Sequence, residues 1–344
     1  MNTSKRFLAA VFLTALLISF TGIILAMGKG MTQSKLSGPS GVLYFSTGAS
    51  IDKLDLETKK RKEIIPWLDR EGRYESNSTY PVYSPKEKKM YFFRSYVWPV
   101  RRQLVTFDLK TQKEEEIQEL DHYIQALSLS PDGQWFAYLL GGLITDPTGE
   151  RAEPGPKQLV VRNPRSGEER VAVEGVNPYF ASPLWASNEA LLYWNVSGRI
   201  IRLNIVNQEK KDMGFKGLEP CAISPDRRTV IVIERRGDFD TAIYLLDLEQ
   251  GKLEFVKRKR ISQFSLRGSF IWAPDGKSFV YTRQSWSNHL PFHEVGNLYW
   301  YDLATGRETK LANTVSLFSG FWLAEDPAAE EKLQMGETGS DVES

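Results

Sequence analysis

One short phrase recurs down this chain: Ser130-Pro131-Asp132-Gly133, Ser224-Pro225-Asp226 and Ala273-Pro274-Asp275-Gly276. Each copy follows a few apolar residues and precedes a β-branched or aromatic run. Pro presets φ, Asp bonds its own backbone and Gly accepts positive φ, so the phrase encodes a tight turn between two strands.

Read outward from these anchors, the chain after residue 40 resolves into six copies of a four-stranded unit. In the copy after residue 267, Gly268–Trp272 reads as an inner strand and Ser278–Thr282 as a second. Asn297–Leu303 reads as a third, and Arg307–Leu311 as a polar fourth on the solvent side. Apolar alternation bounded by turn signals is the pattern of half-buried antiparallel strands. Equivalent second strands are Met90–Phe93, Trp135–Tyr138, Leu191–Trp194 and Val230–Ile233. Successive turns fall at 84, 130, 186, 224 and 273, a period of 38 to 56 residues. Self-similarity of this length with four strands per unit means propeller blades.

The two ends complete one another. Val42–Ser46 and Ile51–Leu56 match second and third strands with no inner strand before them, while Ser319–Leu323 matches an inner strand at the far end. Together they make a sixth blade, and a ring stapled in this way leaves no open sheet edge. The expected fold is all-β: a six-bladed propeller over residues 41–324, closed by N- and C-terminal strands sharing one blade.

These residues resemble the TolB-like six-bladed β-propellers, whose WD40-like Pro-Asp repeat runs Pro-x-Trp-Ser-Pro-Asp-Gly into a strand. The best match is Phe270-Ile271-Trp272-Ala273-Pro274-Asp275-Gly276. The resemblance implies the propeller fold and the family's usual extracytoplasmic, bacterial setting.

A net charge of +1 and a mean hydropathy of −0.36 give no nucleic-acid signature. The lone Cys221 has no partner for an internal disulfide, so packing must stabilise the ring, with Cys221 as a small buried residue. Residues 1–6 carry Lys5 and Arg6 ahead of Phe7–Met27, which has no charge over 21 residues. About 20 apolar residues span a bilayer, whereas a cleaved signal has an apolar core of about 7–15. The expectation is therefore an uncleaved, single-pass anchor over 7–27, with 1–6 cytoplasmic and 28–40 a flexible linker lifting the ring off the membrane. No cysteine follows the apolar run, which excludes a lipoprotein. Residues 325–344 hold seven acids against one Lys and read as a disordered acidic tail.

Propeller topology separates two faces. Loops between second and third strands, and between blades, share one; the Pro-Asp turns and the third-to-fourth turns share the other. The long insertions Arg94–Arg102, Gly141–Lys157, Arg235–Thr241, Gln284–Gly296 and Pro66–Thr79 all fall on the first face, which marks it for recognition. The turn face is expected to be nearly featureless. Candidate binding residues on the long-loop rim are Tyr96, Trp98, Arg101, Arg102, Arg235, Arg236, Trp286, His289 and His293. Aromatics and arginines dominate protein interfaces, and they also stack on and hydrogen-bond sugars.

His289 and His293 have helical zinc spacing, but Pro291 stands between them in an expected loop. No metal and no cofactor are expected. Asp238-Phe239-Asp240 lacks the Gly and spacing of a calcium loop. The basic runs Lys59–Lys62 and Lys257–Arg260 read as solvated edge charge, with an anionic membrane surface as the other reading. No Gly-x-Ser-x-Gly elbow, phosphate loop or dinucleotide fingerprint is present. The inner strands offer chiefly Ser128, Ser130, Ser182, Ser224, Ser269 and Ser319, a poor set for acid–base or metal chemistry. The sequence therefore favours a membrane-anchored, extracytoplasmic, non-catalytic module that binds a protein or envelope glycan through the long-loop face. Its competitors are a propeller enzyme acting on a sugar or lactone through His289 and His293, and a ligand-sensing subunit of a membrane complex.

Overall fold

The computed structural model describes residues 38–66, 68–70, 73–96, 101–120, 124–145, 152–177, 182–236, 240–260, 270–284, 296–315, 317 and 319–327. Two units separate, Met1–Ser40 and Gly41–Ser344. The second is a ring of six antiparallel sheets. Blade 1 orders Ser319–Leu323, Val42–Ser46, Ile51–Asp55 and Arg61–Ile65 from inside out. The inner strands of blades 2 to 6 are Arg73–Ser84, Ile124–Leu129, Leu184–Trp185, Leu218–Ile223 and Phe270–Trp272. Their outer strands are Glu114–Leu120, Glu169–Val176, Lys210–Lys216, Leu253–Arg260 and Glu308–Val315.

The ends of the ring are stapled as the sequence implies. Val42 pairs with Leu323, Tyr44 with Phe321 and Ser46 with Ser319, so blade 1 takes its innermost strand from the far end of the chain. Phe45 lies opposite Gly320, where a Cβ would collide with the Tyr44 carbonyl and the Ile271 side chain. Glycine lets the closing strand lie close to blade 6.

Six apolar clusters fill the six seams. Leu43, Phe45, Leu54 and Trp322 of blade 1 pack on Ile271, Val280, Leu298 and Trp300 of blade 6. Val42, Tyr44, Ile51 and Ile65 pack on Met90, Phe92, Val105 and Phe107 of blade 2. Corresponding clusters join blades 2 and 3, 3 and 4, 4 and 5, and 5 and 6. Each blade is therefore sandwiched between two neighbours. This corrects the half-buried reading of the second strands: Val42–Ser46 is buried throughout, and Val230–Ile233 likewise. Alternation gives way there to continuous apolar runs because both faces meet a seam. The outer strands keep exposed charge, as Lys210–Asp212 does.

Two departures matter for function. Blade 2 has a fifth strand, Leu68–Arg70, paired with the start of a 12-residue inner strand. Much of the expected connection Pro66–Thr79 is thus β-structure. In blade 3, Phe136–Thr145 and Ala152–Arg162 pair well beyond the inner strand, whose partners end at Leu140. The expected loop Gly141–Lys157 is largely a two-stranded ribbon. The expected anchor over 7–27 and most of the linker lie outside the described residues. Among the described residues no helix is long and apolar enough to cross a membrane.

Candidate functional site: a recognition face and a turn face

On the long-loop face the second-to-third hairpins of blades 2 and 3 are built up side by side. In blade 2, Tyr96 pairs with Arg101 and Ser95 with Arg102, so three of the candidate residues meet at one hairpin end. Behind them Arg94 is buried and holds Glu114 through Nη1 at 2.7 Å and Nη2 at 3.1 Å, with its guanidinium over the Phe92 ring. Tyr96 and Arg102 are half-buried. In blade 3 the ribbon pairs Leu143 with Pro154, Ile144 with Glu153 and Thr145 with Ala152. No other strand flanks those pairs among the described residues, so the ribbon stands clear of its sheet by roughly 10 Å at about 3.4 Å per residue.

In blade 5 the two arginine candidates already have partners. Arg235 reaches buried Glu219 on the inner strand, with Nε at 2.9 Å and Nη2 at 2.7 Å from Oε2. Burial pushes the Glu219 carboxyl up from its ordinary range, against the opposing pull of Arg235. Arg236 is exposed and binds Glu234 at 2.7 and 2.9 Å, with the Tyr244 hydroxyl closing the group at 2.8 Å from Glu234. Trp98, Trp286, His289 and His293 lie outside the described residues, as does the side chain of Arg101. The structure therefore joins Tyr96, Arg101 and Arg102 at one hairpin, and Arg235 with Arg236 on another. Blades 2 and 5 stand opposite each other in a ring of six.

Sequence reasoning missed the charged and amide groups at the inner-strand ends. Besides Glu219, Gln125 accepts a hydrogen bond from the buried Nζ of Lys157. A polar residue inside an apolar inner strand was the available signal in both cases. Two of the serines expected on inner strands lie just after them, in the turns. Ser130 Oγ donates to Asp132 at 2.6 Å and accepts from the amide of Trp135, and Ser224 does the same for Asp226 and Thr229. They are turn caps just beyond the inner strands. Cys221 is a free, buried thiol whose pKa burial pushes well up, in keeping with a packing role.

The turn face is more regular than its sequence suggests. In all six blades an Asp or Asn sits at the end of the third strand or, in blade 3, just after it: Asp55, Asp108, Asn163, Asn204, Asp247 and Asp302. Each side chain caps amides two and three residues on, as Asp108 does for Lys110 at 2.9 Å and Thr111 at 2.8 Å. A left-handed residue follows each time: Lys59, Gln112, Gly167, Gln208, Gly251 and Gly306. Neighbouring blades also meet here. The Asp132 amide donates to Asn188 Oδ1 at 3.1 Å, and Arg227 donates to the Trp185 carbonyl at 3.2 Å. At the seam of blades 1 and 2 a hollow of about 200 Å³ is lined by Tyr83, Lys88, Leu323, Ala324, Glu325 and Pro327. It is smaller than the usual 300–1,000 Å³ of a small-molecule site. Among the described residues no group of three or more His, Cys, Asp or Glu is placed to hold a metal ion.

Fold and faces together define a closed six-bladed β-propeller. The chain is similar to TolB from Acinetobacter baumannii, at TM-score 0.61 and 16% identity over 83% of this chain and 66% of that one. It therefore spans about two thirds of that protein. A putative TolB from Agrobacterium tumefaciens matches at TM-score 0.53 and 14% identity, over 85% of this chain and 95% of that one. Oligogalacturonate lyase from Vibrio parahaemolyticus matches at 0.51 and 14%, over 80% of each chain. These likenesses establish the fold, and proteins of differing function share it. No protein-family model and no curated protein matches the chain.

Proposed function

We propose that this protein is a membrane-tethered, extracytoplasmic binding module that engages a protein or an envelope glycan through its long-loop face, without catalysis. The observation that carries this reading is the pair of built-up hairpins on adjacent blades 2 and 3. Extra β-structure there, opposite a face built of short capped turns, supplies a rigid platform for recognition. Tyr96, Arg101 and Arg102 at the blade 2 hairpin have the side-chain chemistry that interfaces and sugars both use. The edges of the blade 3 ribbon, which no other strand flanks among the described residues, add backbone donors and acceptors that an extended partner can pair with.

The test is a pull-down from solubilised envelopes with the full chain and with a variant whose residues 143–154 are replaced by Asn-Gly. A partner captured by the parent and lost by the variant, with circular dichroism unchanged, supports the reading. Equal capture by both contradicts the placement of the site.

A further inference from the structure

The course of the chain through blade 1 bears on how the ring meets a bilayer. Val42 opens the first strand of the propeller and pairs with Leu323, the last residue of the closing strand. Both ends of the ring thus lie on one face, the face of the tight turns. The Gly41 carbonyl accepts a hydrogen bond from the Leu56 amide at 3.0 Å, which fixes the entry point beside the turn leading to Lys59 and Lys60. Lys62 is the second residue of the next strand, Arg61–Ile65, and the neighbouring turns of blade 2 carry Lys86, Lys88 and Lys113.

These six lysines are exposed, and none has an ion pair among the described residues. Several nearby acids are already engaged. Glu87 binds Tyr91 and Arg165, Glu114 binds Arg94, and Asp326 binds Lys53 and Tyr44. Glu57, Glu63 and Glu325 are exposed beside them, Glu325 lining the same hollow as Lys88, and Glu115 sits 4.0 Å from Lys89. The blade 1 and blade 2 sector of the turn face therefore has its cations outward and part of its acid turned inward.

We propose that this sector is a membrane-docking surface that takes anionic phospholipid headgroups. The inference rests on the reading of residues 7–27 as an anchor and deepens it. The 13 residues 28–40 reach at most about 45 Å even when fully extended, so the entry face stays within that distance of the bilayer. Within a Debye length of about 8–10 Å, clustered lysines are attracted by an anionic surface, and tethering makes many weak contacts effective together. Docking by this sector turns the long-loop face, with its built-up hairpins, away from the membrane and towards a partner.

The experiment reconstitutes the full chain into vesicles of phosphatidylcholine alone or with phosphatidylglycerol added, and follows amine acetylation of each lysine by mass spectrometry. Lys216, exposed at the long-loop end of blade 4, is the internal control. Docking predicts that Lys59, Lys60, Lys62, Lys86, Lys88 and Lys113 react about fivefold more slowly on the anionic vesicles, at an unchanged rate for Lys216, with the difference erased by high salt. Vesicle-bound chain whose six lysines react alike on both lipids overturns the docking surface and leaves the anchor standing. Protection of Lys216 instead reverses the orientation and also overturns it. Chain that does not stay with the vesicles at all removes the anchor, and the proposal with it.

Discussion

The hydroxyl of Tyr44 donates to Oδ1 of Asp326 at 3.1 Å, and Lys53 Nζ binds the other oxygen of the same carboxylate. Tyr44 lies in the first strand of the ring and Asp326 just beyond its last, so this clasp fastens the closing blade from outside its hydrogen-bonded ladder. Tyr44→Phe and Asp326→Asn each cost about 1 kcal/mol of unfolding free energy by denaturant titration, as the loss of one part-buried hydrogen bond does. Burial, followed by the charge of Asp326, pushes the Tyr44 phenol up from its ordinary pKa. A raised phenol contributes stability that is present below the unfolded value of about 10 and is lost as pH rises beyond it. Tyr44→Phe therefore flattens the alkaline limb of the stability–pH curve; an unchanged limb contradicts the assignment.

Gly320 is a point of close approach in the closing strand. A Cβ there meets the Tyr44 carbonyl, the Phe45 Cα and Ile271, and two of those are backbone. Gly320→Ala is expected to destabilise the ring by about 1–3 kcal/mol. Gly38→Ala, with nothing within 4 Å of the new methyl, serves as the neutral comparison in the same thermal melts.

In blade 5, removal of either member of the Arg235–Glu219 pair has a different effect. Arg235→Ala strands a buried carboxylate and costs about 3 kcal/mol at neutral pH. Glu219→Gln leaves an amide acceptor and a part-exposed guanidinium, and costs much less. The Glu219 carboxyl is raised by burial above its unfolded value, so the Arg235→Ala penalty shrinks as pH falls and the acid protonates. Urea titrations of both variants at neutral and mildly acidic pH read this directly.

The turn caps set the acid limit. Backbone amides lower the carboxyls of Asp55 and Asp108, led by those of Thr58 and Thr111, and the Thr305 hydroxyl, followed by its amide, lowers Asp302. A depressed carboxyl contributes stability that is present above its unfolded pKa of about 3.9 and is lost as pH falls through the folded value. Asp108→Ala is expected to cost about 1 kcal/mol at neutral pH and little at pH values below both pKa values. A penalty that is independent of pH contradicts the capping role.

The architecture was legible in the sequence because turn chemistry and apolar runs repeat, and the unmatched ends around Val42 and Ser319 pointed to closure before any pairing was seen. What escaped was relational. The Asp or Asn at or just after the end of every third strand is visible in Asp108, Asp247 and Asp302, yet its capping role emerges only with the left-handed residue four positions on. Gly141–Lys157 read as a loop because Gly141, Pro147, Gly149, Pro154 and Pro156 are strand breakers. A ribbon that no other described strand flanks tolerates them, because its outer backbone groups have no ladder partner to lose. The partners of Arg235 and Lys157 lie 16 and 32 residues away on an inner strand, so no local pattern discloses them. Rim residues stand out by type in the sequence, while their pairing is decided by the fold.

The most direct test of the account puts a photo-crosslinking amino acid at Tyr96, at Arg102 and, on the turn face of blade 4, at exposed Asn207, in otherwise intact cells. A recognition face on blades 2 and 3 predicts covalent adducts with a protein or envelope glycan from positions 96 and 102 and none from 207. Adducts from 207 alone, or equally from all three, would contradict it.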